Sequence, residues 1–299
     1  MEEKLYSITF TSSADDWARL QARLTSLINW LGPAWAALCG AVAAGSSDWQ
    51  DAEWLQLALL ILLVDVGWGV LWAAMGSTDW AAPLRRWRDW RSGEPVSSPP
   101  YTLPGSPGDR TSHWLGQLRA WWRDVFWPAC GLSLSAVVVA LLGSAVLGIL
   151  LGTDLLLLNV VALAVMQLGL AWEGGRGTVA PKWDAIIVVA LPWLAGHMVS
   201  SETLTLSSVG LALAFTLAWG AAWQACSRWE RLIGIGAQFL VAVLLVALHR
   251  PLAAGGLLVL LVPQLMLHPW LERGQLSAWY VRYARPWMMA AMMIAAWAL

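Results

Sequence analysis

Charged residues are scarce in this chain. They make up 12% of its 299 residues, whereas soluble domains carry about 25%. Hydrophobic residues account for 59%. Runs of about 18 or more apolar residues with few charges indicate membrane-spanning helices. The composition therefore excludes an ordinary soluble domain and predicts an all-α integral membrane protein in contact with membrane lipids.

Cysteine is also scarce, and so are features of nucleic-acid binding. Cys39, Cys130 and Cys226 lie far apart and form no CxxC pair, so neither a zinc site nor a disulfide framework is indicated. We expect the three thiols to behave as small buried apolar groups. The net charge is -1, and no basic stripe stands apart from the membrane pattern, so we expect no nucleic-acid partner.

The apolar runs predict about nine spans. Their expected bounds are Leu27–Gly45, Trp54–Gly76, Phe126–Leu147, Leu150–Trp172, Ala185–Val199, Leu206–Ala225, Leu232–Leu248, Leu252–Leu267 and Pro286–Leu299. The boundary between the third and fourth is open, because a break at Gly152–Asp154 is equally compatible with the pattern. Gly131, Gly143, Gly148 and Gly152 predict close approach of helices.

Loop charges predict the orientation. If the N-terminus is cytoplasmic, the outer loops contain one basic residue, Arg250, and the remaining 17 of 18 lie inside. This bias agrees with the positive-inside rule. We therefore expect a multi-pass protein of the cell inner (cytoplasmic) membrane with a cytoplasmic N-terminus.

Two segments are expected outside the spans. Residues 1–26 lack the features of a signal peptide, and apolar residues at helical spacing predict an amphipathic helix on the membrane surface. Residues 77–124 form a long basic loop, whose stretch from 92 to 112 is rich in Pro, Ser and Gly and predicts irregular structure. This loop is either a linker held by arginines at anionic headgroups or a docking segment for another protein.

Three polar residues lie where polarity is costly. Asp65 is in the middle of the second span, and a carboxylate at that depth indicates either a pigment or proton role, or a hydrogen bond to a neighbouring helix. His197 and His268 lie near span ends. Neutral imidazole can ligate a chlorin magnesium, while the alternative for each is a hydrogen-bonded interface residue.

The first and fifth spans carry motifs of a known family. Asn29–Gly45 reads NWLGPAWAALCGAVAAG, and Leu191–His197 reads LPWLAGH. They resemble T-W-F-P-P-M-W-A-F-x-C-G and L-P-W-W-A-G-H of chlorophyll and bacteriochlorophyll synthases, members of the UbiA superfamily of intramembrane prenyltransferases. Tyr280–Pro286 resembles the family's final Y-x-x-x-x-Q-P, with Arg285 in place of Gln. The resemblance implies a UbiA-like bundle over residues 27–299.

The resemblance also implies a metal site that this chain carries only in part. Family members transfer an isoprenoid from its diphosphate to a chlorophyllide propionate, using magnesium held by two carboxylate motifs. The first motif, N-D-x-x-D-x-x-x-D, aligns with Met75–Pro83, where Asp79 alone survives. The second lies near Trp223–Glu230, where Glu230 is the one acid. One Asp and one Glu cannot build two magnesium sites.

Two functions follow from this resemblance. The first is a non-catalytic synthase homologue that binds bacteriochlorophyll or an isoprenoid lipid as an accessory subunit of a photosynthetic membrane complex or of the synthase. Its pigment-binding candidates are His197, His268, Trp193 and Asp65. The alternative is an active prenyltransferase that requires magnesium. It would use Asp79 as metal ligand with Glu230 as the second acid, and Arg176, Lys182 and Arg228 as diphosphate contacts. A transporter is disfavoured because the sequence shows no internal repeat.

Overall fold

Every regular element among the described residues is helical. The structure is a computed structural model that describes residues 32–45, 51–87, 90, 93–94, 103–172, 181–201, 203–225, 227–272 and 277–299. The predicted amphipathic segment 1–26, Arg176 and Cys226 lie outside these ranges. Cys39 and Cys130 are free thiols in buried positions, as expected for small apolar groups.

Thirteen α-helical and three π-helical segments follow one another along the described chain. The α-helices are α1 (Pro33–Ala43), α2 (Asp51–Ile61), α3 (Gly69–Ser77), α4 (Ala81–Trp87), α5 (Pro107–Trp121), α6 (Trp127–Leu151), α7 (Thr153–Trp172), α8 (Pro181–Ala185), α9 (Leu191–Ser200), α10 (Leu206–Trp223), α11 (Arg228–Ala247), α12 (Pro251–Glu272) and α13 (Ser277–Trp297). The π-helical segments are Leu62–Trp68, Trp122–Phe126 and Ile186–Ala190, and each joins two α-helices without a break.

Seven helices of the described chain are long and apolar enough to cross a membrane. They are Trp54–Ser77, Pro107–Leu151, Thr153–Trp172, Lys182–Ser200, Leu206–Trp223, Arg228–Ala247 and Pro251–Leu271, and each coincides with a predicted span. The other two predicted spans coincide with α1, which has 11 residues, and with α13, which is not among the seven. The structure therefore shows a multi-pass all-α membrane protein without confirming a count of nine spans.

Gly152 separates the third and fourth predicted spans. Helix α6 ends at Leu151, and Gly152 adopts φ 109° and ψ 171° before α7 begins at Thr153. A positive φ is readily adopted by glycine because it has no Cβ. The break at residues 152–154 is thus confirmed, and Phe126–Leu147 and Leu150–Trp172 are corrected to Trp127–Leu151 and Thr153–Trp172.

Helix α5 begins inside the stretch of the basic loop for which irregular structure was predicted. Helix α5 begins at Pro107, so the prediction for residues 107–112 is wrong. Two features stabilise the N-terminus of α5. The Ser106 hydroxyl accepts a hydrogen bond from the Asp109 backbone N–H (3.3 Å). Pro107 is at the first position of the helix, where proline is favoured. The helix then continues for 45 residues to Leu151, about 67 Å, which exceeds the roughly 30 Å hydrocarbon core.

The loop helices pack against each other outside the spans. The Trp121 indole N–H donates to the Pro83 carbonyl (3.2 Å), and the Gln117 amide donates to the Trp90 carbonyl. Trp87 meets Trp121 edge to face. We call the end of the bundle that carries these residues the basic-loop end.

The two motifs that carry the family resemblance pack directly on each other. Helices α1 and α9 lie so close that a Cβ on Gly40 would sit 1.9 Å from the Trp193 carbonyl oxygen. A Cβ on Gly196 would sit 1.8 Å from the Ala37 carbonyl oxygen. Glycine at both positions lets the two backbones touch. The small residues of WAALCG and LPWLAGH thus form a helix-packing interface.

Candidate functional site

A narrow groove opens between the end of α10, the start of α11, the end of α12 and the start of α13. Its cavity volume is only about 10 Å³, and the gaps between the surrounding atoms, open solvent at the mouth included, amount to about 310 Å³. One wall is formed by small residues of α10 at helical spacing and of the turn that follows it, namely Ala218, Ala221, Ala222 and, in the turn, Ala225. Gly234 of α11 lies opposite, where its missing side chain leaves Ala221 as the nearest neighbour. Small residues on facing helices therefore create the space.

Polar side chains surround this apolar wall. Glu230 and Arg231 stand in the first turn of α11, and both line the groove. His268 of α12 and Tyr280 of α13 line it as well, with His268 Nε2 lying 3.1 Å from the Tyr280 hydroxyl. Two residues singled out from the sequence, Glu230 and His268, thus meet in one groove. The site combines apolar walls with acidic, basic and imidazole groups.

A pair of amides also lines the groove. The Gln238 and Gln264 side chains exchange two hydrogen bonds of 2.8 and 3.0 Å, and they are 3% and 1% exposed. Each amide satisfies the other, as burial away from water requires. Sequence reasoning missed both residues, although an amide within an apolar span is a signal for an interhelical bond.

A cluster of charges lies beside the groove, on a neighbouring face of α10 and α13. The Arg285 guanidinium attracts two carboxylates, Asp184 of α8 and Asp65 of the first π-helical segment. It also lies over the Trp219 ring, 5.4 Å from the ring centroid. The Trp72 indole N–H donates to Asp184 over 3.3 Å. Sequence analysis singled out Asp65 and the Arg285 position but missed Asp184.

Asp65 has a structural partner on a neighbouring helix. Its carboxylate accepts a hydrogen bond of 3.0 Å from the backbone N–H of Ala34, in the first turn of α1. The first N–H groups of a helix have no partner within the helix, so Asp65 caps α1 from outside. This contact matches the prediction of a hydrogen bond to a neighbouring helix.

His197 and Trp193 lie in a buried hydrogen-bond chain. His197 is 0% exposed, with Nε2 lying 3.2 Å from the Thr203 carbonyl and Nδ1 lying 3.1 Å from the Ser208 hydroxyl. The Trp193 indole donates to the same hydroxyl over 2.9 Å. Because a carbonyl only accepts, Nε2 carries the proton and Nδ1 accepts from Ser208. Both imidazole nitrogens are thus engaged by protein groups, which leaves none for a pigment magnesium.

Two of the three residues expected to contact a diphosphate are described, and neither lines the groove. Lys182 is exposed and its ammonium lies 5.8 Å from the Trp172 ring centroid. Arg228 is exposed at the start of α11, two residues before Glu230. In the part of the chain that the structure describes, no three His, Cys, Asp or Glu side chains lie together as a metal site would need.

Asp79 holds the start of α4. Its Oδ1 accepts hydrogen bonds of 3.1 Å from the backbone N–H groups of Ala81 and Ala82, and its Oδ2 pairs with Arg85 over 2.5 Å. The hydrogen bond from Arg85 is the main cause that holds the pKa of this exposed carboxyl below its ordinary value. Asp79 therefore acts as an ionised helix cap.

We expect Asp79→Ala to release the start of α4, whereas Asp79→Asn retains part of the cap. The pKa of Asp79 is lower in the folded state than in the unfolded state. Its stabilisation of the folded chain is therefore fully present above the unfolded-state pKa, and it is lost as pH falls through the folded-state pKa. Hydrogen exchange at the Ala81 and Ala82 amides measures this directly. Equal protection of these amides in the wild type and Asp79→Ala would contradict the capping role.

The comparisons with known proteins add no relative. No protein-family model, no curated protein and no solved structure matches this chain.

Proposed function

We propose that this chain is a non-catalytic homologue of the chlorophyll and bacteriochlorophyll synthases that binds an isoprenoid-tailed lipid in the groove between α10, α11, α12 and α13. In this proposal it serves as an accessory subunit of a photosynthetic membrane complex or of the synthase. Bacteriochlorophyll, which carries such a tail, and an isoprenoid alcohol or quinone are the candidate ligands. The proposal rests on the sequence resemblance together with the chemistry of the groove.

The contacts that Asp79 makes within the protein support the non-catalytic part of the proposal. Magnesium needs several oxygen ligands, and Asp79 is the one carboxylate left in the first motif. Its oxygens bond to Arg85 and to two backbone N–H groups instead. A metal would have to displace both the cation and the helix cap. Without the metal, the charge that develops on the leaving diphosphate is not stabilised. Such electrostatic stabilisation is usually the largest contribution to catalysis.

The groove favours a chain over a flat ring. Ala218, Ala221 and Ala222 lie on one face of α10 and line it, so an extended apolar tail would lie along this helix. Polar groups lie beside this face, where Glu230, Arg231 and His268 can meet a head group. With nine spans and a cytoplasmic N-terminus, this end of the bundle faces the cytoplasm of the inner membrane.

Filling the groove tests the binding site. Gly234→Leu places a branched side chain against Ala221, and we expect it to reduce co-purified isoprenoid lipid or pigment at least tenfold, a loss of about 1.4 kcal/mol. The measurement is mass spectrometry of lipid extracts together with the absorption spectrum of the purified protein. Gly236→Leu is the matched control, because Gly236 lies on the same helix and faces open space. Equal lipid content in both variants would contradict binding in the groove.

An active prenyltransferase is the second candidate, and the position of Glu230 favours it. Glu230 lines the groove beside Arg231, and Arg228 lies one half-turn earlier. In this alternative Asp79 and Glu230 hold magnesium, and Arg176, Lys182 and Arg228 contact the diphosphate. Magnesium-dependent product that disappears in Glu230→Gln would support it.

A further inference from the structure

A stripe of exposed apolar side chains lies on the helix that leaves the bundle at its basic-loop end. Trp114, Leu115 and Trp122 are 52%, 45% and 44% exposed, and Leu118, which lies between them, is half-buried. Residues three, four and seven positions apart share one face of a helix. These four residues therefore form one continuous surface, which we call the outer stripe.

The outer stripe stands outside the membrane. The Thr78 hydroxyl donates to the Ser133 hydroxyl over 2.7 Å, and Thr78 directly follows the membrane-spanning helix that ends at Ser77. Ser133 is thus near the edge of the hydrocarbon core, and the helix from Ser133 to Leu151 is about 28 Å long, close to the roughly 30 Å thickness of that core. Leu115 lies about 27 Å beyond Ser133 along the same unbroken helix.

This distance excludes lipid as the cover of the outer stripe. The head-group layer on one side of a bilayer is only about 5–8 Å thick. Even a helix tilt of about 40° would leave Leu115 roughly 20 Å from the hydrocarbon edge. Large apolar side chains held together in water indicate a protein interface.

The rim of the outer stripe is basic. Arg110 precedes Trp114 by one helical turn and Arg119 follows Leu115 by one turn, and both arginines are exposed. The acids of this stretch are engaged elsewhere, Asp109 with the Gly105 backbone N–H (2.8 Å) and Asp124 with Arg123 (2.7 Å). A complementary surface must therefore present apolar side chains and carboxylates. A second copy of this chain would instead bring arginines against arginines.

We propose that the outer stripe docks a partner protein through an apolar surface flanked by acidic residues. Tryptophan and arginine are the residues most enriched at the energetic centres of protein interfaces, and here Trp114 and Trp122 lie beside Arg110 and Arg119. The stripe is formed by α5 and the residue that follows it. The inference goes beyond the proposed function, because it holds whatever the groove binds.

Photocrosslinking of the full-length chain in the membranes of its native cells tests the proposal. Benzoylphenylalanine in place of Leu115 should crosslink to one protein, and mass spectrometry of the joined peptide should find apolar residues beside Asp or Glu. His113 is the matched control position, because it is exposed on another face of the same helix, and the same replacement there should give at least about tenfold less product. Lipid content of the same preparation tests the groove separately.

Reversing one rim charge tests the complementarity. Arg119→Glu should lower the crosslinking yield from position 115 at least about tenfold, whereas Arg119→Lys, which keeps the charge, should retain most of it. Positions 113, 115 and 119 are all exposed, so these variants remove no packed core group. The proposal is overturned by the absence of a crosslinked protein, by crosslinks to lipid or a second copy alone, or by a joined segment without acids. Equal yields from positions 115 and 113, or a yield that Arg119→Glu leaves unchanged, would overturn it as well.

Discussion

Gly196→Ala is expected to prevent stable packing of α1 against α9. The added Cβ would lie 1.8 Å from the Ala37 carbonyl oxygen, and a backbone oxygen cannot rotate away as a flexible side chain can. The two helices must therefore separate. Overpacking usually costs 1–3 kcal/mol, and because the obstacle here is backbone we expect a loss of more than about 4 kcal/mol. Gly40→Ala should have a similar effect, since its Cβ would meet the Trp193 carbonyl.

A glycine-to-alanine substitution at an open position should have the opposite effect on stability. Alanine is favoured over glycine within a helix by about 1 kcal/mol. Gly236→Ala on α11 meets open space, so it should leave stability unchanged or raise it by up to that amount. The midpoint of unfolding in mixed detergent micelles, followed by tryptophan fluorescence, distinguishes the two variants. Wild-type stability in Gly196→Ala would contradict the close backbone contact.

Removing Arg285 is expected to be the second most damaging change. Arg285→Gln leaves Asp65 and Asp184 inside the bundle without the guanidinium that attracts both. Leaving buried carboxylates without a compensating cation costs up to about 3–5 kcal/mol, and because Arg285 is only partly buried we expect a loss of at most about 3 kcal/mol. The Trp219 ring also loses its cation contact.

A double variant separates charge imbalance from lost packing. Adding Asp184→Asn to Arg285→Gln removes one of the two unbalanced charges, so the double variant should unfold less readily than Arg285→Gln alone. Such coupling between contacting groups is measured by a double-mutant cycle. Arg282→Gln on the same helix is the control, because Arg282 is exposed. Additive losses in the cycle would show that Arg285 and Asp184 do not interact.

The course of the chain through its helices could be predicted from the sequence, because the signals are local. Apolar runs located the helices, and a break at Gly152–Asp154 was one of the two boundaries left open between the third and fourth spans. The structure has this break, where Gly152 adopts a positive φ. The start of α5 was missed although Ser106, Pro107 and Asp109 form a helix N-terminus signal. The Pro- and Gly-rich composition of the loop outweighed it.

The partners of each helix could not be predicted, because lipid and bundle interior are both apolar. Gly143 and Gly152 were expected at helix contacts and face open space, whereas Gly40 and Gly196, which make the closest contacts, were quoted in the motifs but not predicted as contacts. Hydrophobic periodicity does not distinguish these two environments. The resemblance to a family's motifs drew attention to both segments, and the structure shows that the two segments pack directly on each other.

Only part of the candidate site could be predicted, because the contacts between helices are not encoded in the local sequence. Glu230 was identified from the resemblance to the family's second carboxylate motif and His268 as a histidine near a span end, and the structure places both in one groove. Asp184 stands near the end of a span, where an acidic residue is ordinarily interpreted as one that is exposed to water. Its attraction to Arg285, 101 positions later in the sequence, depends on tertiary contact. No local pattern encodes it.

A prenyl-transfer assay tests the central claim most directly. The purified chain would be incubated with bacteriochlorophyllide, geranylgeranyl or phytyl diphosphate and magnesium, beside a catalytically active synthase, after its bound lipids and absorption spectrum are recorded. The account predicts no esterified product, together with an isoprenoid-tailed lipid or pigment that is lost in Gly234→Leu. Magnesium-dependent product at a rate comparable to the synthase would contradict it, and would show that Glu230 and other groups hold a working metal site.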